Sequence, residues 1–256
     1  MKEKFIPVLV ILAIGLAFFS GTLWQKVKNL EKGQSTTTVQ PTAKAQPKVS
    51  LETIKSLFDK DLIKIGDKDS KVIFVEISDP SCPYCQAAAG LNPTLNNQMG
   101  PQFKLVKDGG TYVAPVIEMK KLVDAGKASF VWIYSPGHGN GELGTKALYC
   151  ANEKGKFWEA QDLLMTSKGY DLLNNTIKND ITKSGTLVTF LKSAVDSTFL
   201  KECLDSGKYD ARLANDTQIA SSLGFQGTPD FFVNDKNFAG AVSYEQMRSV
   251  IDGALK

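Results

Sequence analysis

The chain has 256 residues, 43% hydrophobic and 22% charged, enough for one globular domain of about 200 residues plus appendages. A formal charge of only +3, with the lysines dispersed, provides no basic patch and argues against nucleic acid as a partner. Four cysteines and one histidine are too few for a disulfide-built scaffold, so each needs its own account.

In chain order, Phe5–Trp24 (FIPVLVILAIGLAFFSGTLW) is an uncharged run of 20 residues flanked by Lys2, Lys4, Lys26 and Lys28. Its length predicts a transmembrane helix within 1–26, with Trp24 at the interface. The competing reading is a cleaved signal peptide, which should have a shorter apolar core and an A-x-A-like site; Ala17-Phe18-Phe19 is a poor one. Both flanks are basic, so charge does not set the orientation. Residues 27–48 are polar, with prolines and no apolar period, and read as a flexible tether. The globular domain is expected over 49–256.

LETIKSLFDKDL opens that domain as an amphipathic helix, with a short strand near Leu62–Ile65. KVIFVEIS (71–78) reads as a buried strand, DPSCPYC follows it, and QAAAG begins a helix. VIEMKKLVDAGK (116–127) is an amphipathic helix and SFVWIYS (129–135) a second buried strand. From about Glu142 to Leu223 apolar residues recur at i, i+3 and i+4 in successive segments, a block of helices. PDFFVN returns to strand, NFAGAV is a candidate for one more, and YEQMRSVIDGAL closes as a helix. The order β-α-β, helical insertion, β-β-α predicts an α/β domain: a four-stranded core with helices on both faces.

SDPSCPYCQAA (78–88) carries the chemistry, and its two cysteines admit three readings. A zinc site usually needs two such pairs, whereas Cys150 and Cys203 lie far away and His138 stands alone. A purely structural disulfide across two residues closes almost no loop. A redox dithiol fits best: Cys82 falls at a helix start with Pro83 at the first helical position, where free N–H groups and the dipole stabilise a thiolate. Cys85, one turn deeper, suits the resolving thiol. A C-x-x-C beside a βαβ pattern is the mark of a thioredoxin-like redox motif.

With FVEISDPSCPYC, ALYCANEKGKFWEAQDLLM, KECLDSGKY and LGFQGTPDFFVN on the page, the chain resembles the DsbA-like thiol–disulfide oxidoreductases of the thioredoxin superfamily over most of residues 60–255. The resemblance implies a thioredoxin-like fold with an inserted helical domain. It implies that Thr228-Pro229 is a cis-proline loop facing the dithiol, with backbone groups for an extended peptide. It gives Glu76 a proton-handling role beneath the site, against the alternative of a solvated strand-edge carboxylate. It implies a Cys150–Cys203 disulfide, the alternative being two buried free thiols. Tyr84 stands where DsbA has histidine, and Pro-Tyr is also the glutaredoxin dipeptide, so the oxidising strength stays open. His138, in the loop SPGHGNGE, is a candidate for tuning the dithiol and otherwise a surface residue.

The segment 92–114 departs from the family pattern. It interrupts the helix after C-x-x-C at Gly90–Pro93, carries FKLV as a possible short strand, and is expected to narrow substrate access. An oxidising dithiol is useful outside the cytosol, so the anchor is expected to hold a monomeric domain on the outer face of a bacterial membrane. The expected partners are exported proteins with free thiols and a DsbB-like membrane reoxidant. No prosthetic group or metal is called for beyond the Cys82–Cys85 pair. The rivals are a reductase or isomerase of the same fold, and a metal-handling module using Cys82, Cys85 and His138.

Overall fold

The computed structural model describes residues 49–256; the expected anchor (1–26) and tether (27–48) lie outside the described residues. Among the described residues no helix is long and apolar enough to cross a membrane.

Helix α1 (Leu51–Ser56) starts at Ser50, whose hydroxyl accepts from the Thr53 N–H at 3.1 Å, an N-cap of the usual kind. It leads into β1 (Ile63–Ile65) and β2 (Ile73–Ser78), then α2 (Pro83–Ala89), α3 (Pro93–Gln98) and α4 (Pro115–Asp124) before β3 (Ser129–Tyr134). The helical block runs as α5 (Glu142–Glu153), α6 (Phe157–Leu164), α7 (Ser167–Asp171, continued by a π turn over Leu172–Ile177), α8 (Ser184–Leu191), α9 (Ser197–Asp205) and α10 (Asp210–Ser222). The hairpin β4 (Asp230–Val233) and β5 (Lys236–Ala239) follows, and α11 (Tyr244–Leu255) closes the chain behind a Ser243/Gln246 capping box.

The sheet has five strands in the order β1-β3-β2-β4-β5: the expected four-stranded core and, at its edge, the short strand expected near Leu62–Ile65. This edge strand, β1, pairs antiparallel with β3 through Ile63↔Trp132 and Ile65↔Phe130. The two buried strands β2 and β3 pair in parallel, and β4 pairs antiparallel with β2. Alternation along the strands sorts the core into two layers. Ile73, Val75, Ile77, Val131 and Ile133 face α1 and the end of α10. Phe74, Phe130, Trp132, Phe231 and Val233 face α4, α6 and the helical block. Glu76 and Ser78 occupy this second face by register, each fully buried.

The helical block is tied to the sheet and to itself. Buried Asp216 on α10 accepts from the Tyr149 hydroxyl of α5 at 2.7 Å and from the Tyr134 N–H at the end of β3 at 3.1 Å. Arg212 stacks over the Tyr149 ring at 4.2 Å and the Tyr209 ring at 5.5 Å. Cys150 on α5 and Cys203 on α9 form a disulfide with a Cα–Cα distance of 6.1 Å.

Segment 92–114 differs from expectation in one respect. FKLV is not a strand: 3-10 turns over Pro101–Phe103 and Val106–Asp108 flank Lys104 and Leu105, and Leu105 makes only an isolated bridge to Tyr112. Pro101 opens the first turn and Gly109, at φ 81°, ends the second, so neither end of the run can extend a ladder.

Candidate active site

Strand β2 ends at Ser78, and Asp79-Pro80-Ser81 turns the chain into α2. Cys82 is the N-cap residue of that helix, with extended backbone (φ −76°, ψ 128°), and Pro83 sits in its first turn. The Cys82 N–H donates to the Asp79 carbonyl at 3.0 Å, and the Gln86 N–H donates to the Cys82 carbonyl at 3.0 Å. Cys85 is one turn further in and fully buried, and the Asp79 N–H points at its sulfur at 3.4 Å. Both sulfurs are thiols here, and Cys82 is only 3% exposed.

The two thiols titrate in opposite directions. Cys82 is held well below the ordinary thiol range. The largest cause is the hydrogen bond from the Cys85 thiol, followed by the Thr228 side chain and the Cys85 and Tyr84 backbone N–H groups, all acting against burial. Cys85 is pushed far up, first by burial and then by the Cys82 sulfur beside it. One sulfur is thus poised as a thiolate at the rim and the other is kept protonated beneath it. Such a pair can exchange with an external disulfide and then release it.

The peptide bond Thr228-Pro229 is cis and lies over Cys82, whose thiol donates to the Thr228 carbonyl at 3.5 Å. Tyr84 is the exposed member of the motif, 49% accessible, and its ring meets Phe103 edge-on at 5.8 Å; Phe103 in turn meets Tyr112 at 5.6 Å. The 92–114 segment therefore lies beside the dithiol. Asn96 anchors it by donating to the Ala87 carbonyl at 3.2 Å and the Phe103 carbonyl at 3.0 Å, and the Tyr112 hydroxyl donates to the Ala241 carbonyl at 3.1 Å.

Glu76 is fully buried beneath the motif, which rules out the solvated alternative. Burial pushes its carboxyl up to about 7, and the nearby Ser78 and Gln161 side chains only temper the rise. His138 has an exposed side chain; it is its main-chain N–H that reaches the site.

Several residues of the site carried no signal strong enough to single them out. Asp79 is buried, and its Oδ1 accepts from the Ser81 N–H and hydroxyl, both at 2.7 Å. Its Oδ2 accepts from the Gly137 and His138 N–H groups at 2.7 and 3.0 Å, pinning the loop after β3 beside Cys82. Gly137 has no room for a side chain: an added Cβ would collide with the Thr228 side chain and lie 3.2 Å from Cys82 Cβ. The Asp-Pro-Ser turn chemistry was visible in the sequence, but its partner loop lies 58 positions away. Gln161 on α6, beside Glu76, was equally hidden among helical residues.

Comparison with known proteins places this geometry. The family model described as Thioredoxin matches residues 116–253, more than half of the chain. Among curated relatives, the Na+/H+ antiporter NhaA 3 of Salinispora tropica is 25% identical over 77% of this chain, which spans only 25% of the antiporter's length. Disulfide bond formation protein D of Bacillus subtilis is 21% identical over 88% of this chain and 84% of its own. Among solved structures, oxidised BdbD of Bacillus subtilis matches with a TM-score of 0.53 at 22% identity, covering 76% of this chain and 92% of that one. Wolbachia pipientis alpha-DsbA1 matches with a TM-score of 0.55 at 19% identity, over 76% and 91%. These structural likenesses are of fold. The family match settles the affiliation: the chain belongs to the thioredoxin family, and it is similar over most of its length to a disulfide bond formation protein and in fold to BdbD and alpha-DsbA1.

Proposed function

We propose that this chain is a protein dithiol oxidase that introduces disulfides into exported proteins through Cys82–Cys85. What supports the direction is the placement of the two sulfurs: Cys82 caps the N-terminus of α2 with the cis Thr228-Pro229 loop over it, a setting that favours its thiolate, while Cys85 is fully buried and kept protonated. Whatever stabilises the reduced pair makes the disulfide a stronger oxidant, and a low thiol pKa makes Cys82 the better leaving group.

In the forward reaction a substrate thiolate attacks Cys82 Sγ, the Cys82–Cys85 bond breaks, and Cys85 takes the electron pair. A second substrate thiolate attacks the substrate sulfur of the mixed disulfide and expels Cys82 as its thiolate. Glu76 carries the proton that buried Cys85 gains or gives up. Thr228 and Pro229 hold the substrate backbone, and Tyr84 with the 92–114 segment forms one wall of its path. The reduced pair is returned to the disulfide by a DsbB-like membrane partner. Disulfide chemistry favours an extracytoplasmic site, and the apolar run Phe5–Trp24 supplies the anchor.

The test is a single turnover of the disulfide form against a reduced dithiol peptide. Oxidised peptide is expected in equal amount to enzyme, with Cys82→Ala inactive and Cys85→Ser trapped as a mixed disulfide when presented with oxidised peptide. A reduced enzyme that reduces the peptide's disulfide, with no net reaction in the oxidising direction, would assign it to reduction instead.

A further inference from the structure

Beneath the dithiol, β2 places Glu76 and Ser78 on its helix-facing side, and α6 brings Gln161 over them from the inserted block. All three are buried, Gln161 to 1% exposure. Glu76 has Ser78 and Gln161 as its polar neighbours, yet both its carboxylate oxygens, Ser78 Oγ and both Gln161 amide atoms stand too far apart or too poorly aligned for a full hydrogen bond among the described residues. An unsatisfied buried polar group costs about 1–3 kcal/mol, so a cluster of them weighs against the fold and calls for another reason. Its two ends supply one. Ser78 lies by the Cys85 thiol. Gln161 lines a cavity of about 240 Å³ between α2, α4 and α6, shared with Ala89, Leu91, Lys120, Asp162 and Met165.

We propose that Gln161 is the positioning residue of a proton path that runs from this cavity through Glu76 and Ser78 to Cys85. This rests on reading Glu76 as the proton carrier of the dithiol. When the Cys82–Cys85 bond breaks, the electron pair left on Cys85 Sγ takes the Ser78 hydroxyl proton. Ser78 is reprotonated by the Glu76 carboxylic acid, and the resulting carboxylate recovers a proton from water in the cavity. The sequence reverses when Cys85 attacks a mixed disulfide. Gln161 transfers no proton itself: its amide NH2 and carbonyl hold the water that meets Glu76. A water needs about two to four polar partners and a share of about 30 Å³, and the cavity provides ample room.

The surroundings suit such a path. Cross-strand neighbours Trp132 of β3 and Phe231 of β4 flank Glu76 within the sheet. Ser78 is the neighbour it shares with the Cys85 thiol of α2, and no charged side chain of the described residues shifts its titration. Charges gather at the cavity instead: Lys120 pairs with Asp124 at 3.1 Å, Lys121 with Glu118 at 2.7 Å, and Asp162 follows Gln161 on α6.

The test is stopped-flow exchange with a dithiol peptide from pH 5 to 9, in H2O and D2O. It compares wild type, Gln161→Met, Gln161→Asn, Glu76→Gln and the Glu76→Gln/Gln161→Met double variant. Gln161→Met should slow the step that forms or consumes the Cys85 thiolate by roughly tenfold, part of the 10²–10⁴ that acid–base catalysis supplies. Its Cys82 thiolate absorbance titration should stay unchanged, Gln161→Asn should recover most of the rate, and Gln161→Met should add nothing in the Glu76→Gln background. Wild type alone gives a second arm, a curved dependence of that step on D2O fraction, reporting more than one proton in flight. A linear dependence, an unchanged Gln161→Met rate, or equal slowing with and without Glu76 would overturn the path. Were Glu76→Gln slow and Gln161→Met normal, Glu76 would keep its role and Gln161 lose its own. Were Glu76→Gln itself unchanged, the reading of Glu76 would fall with it.

Discussion

Thr228 meets Cys82 twice, through its carbonyl at 3.5 Å and through a side chain that favours the thiolate. Thr228→Val keeps the shape and removes the hydroxyl. With a hydrogen bond worth about 0.5–1.5 kcal/mol, the Cys82 pKa should rise from about 6 by up to about one unit, read as thiolate absorbance against pH. No rise would mean that the hydroxyl does not serve the sulfur. Glu76 gives a second prediction at this scale. Its folded pKa of about 7 lies above the ordinary 4.5, so the fold favours the protonated acid. That contribution is complete below pH 4.5 and is lost as pH rises through 7, a cost of about 3 kcal/mol above neutrality. In the disulfide form, where the thiols do not titrate, Glu76→Gln should gain stability over wild type between pH 5 and pH 8 in denaturant titrations. A difference that is the same at both pH values would contradict the assignment. The cysteine pair was legible because its chemistry is local: a strand end, two cysteines one turn apart and a proline. Asp79 and Gln161 were not, because what makes them part of the site is contact across the fold.

At the scale of elements, the short helix α2 stops at Gly90, which adopts a left-handed φ of 70°. The following residues then fold back along it instead of prolonging it. Asn92 caps α3 by accepting from the Leu95 N–H at 3.2 Å, and the return path sets Phe103 against Tyr84. The break was visible as Gly90–Pro93; the course of the segment was not, since it depends on Asn96 and Tyr112 reaching distant carbonyls. An aromatic pair of this kind is worth about 0.5–1.5 kcal/mol, so Phe103→Ala should raise KM for a dithiol peptide by about twofold to tenfold. Cys82 titration should be untouched. Unchanged peptide kinetics, with those of a 94–112 deletion also unchanged, would remove the segment from the substrate's path.

For the whole molecule, the order of strands and the place of the helical block followed from hydrophobic period alone. The short strand near Leu62–Ile65 was legible as an element, but its place beside β3 was not, because that is set by pairing. The Cys150–Cys203 bridge joins two helices of the block across 53 positions. Closing a loop of that length stabilises by about 4 kcal/mol in the chain-entropy model, so C150A/C203A should lose unfolding free energy of that order in denaturant titrations while the Cys82 titration holds. A loss of both together would make the bridge part of the active-site support.

The central claim is that the fold stabilises the reduced Cys82–Cys85 pair enough to make its disulfide an oxidant. Its most direct measure is the equilibrium of that pair with glutathione at pH 7. A potential near −120 mV, as in strong disulfide oxidants, is the expected result, and one near −270 mV, as in thioredoxin, would contradict it.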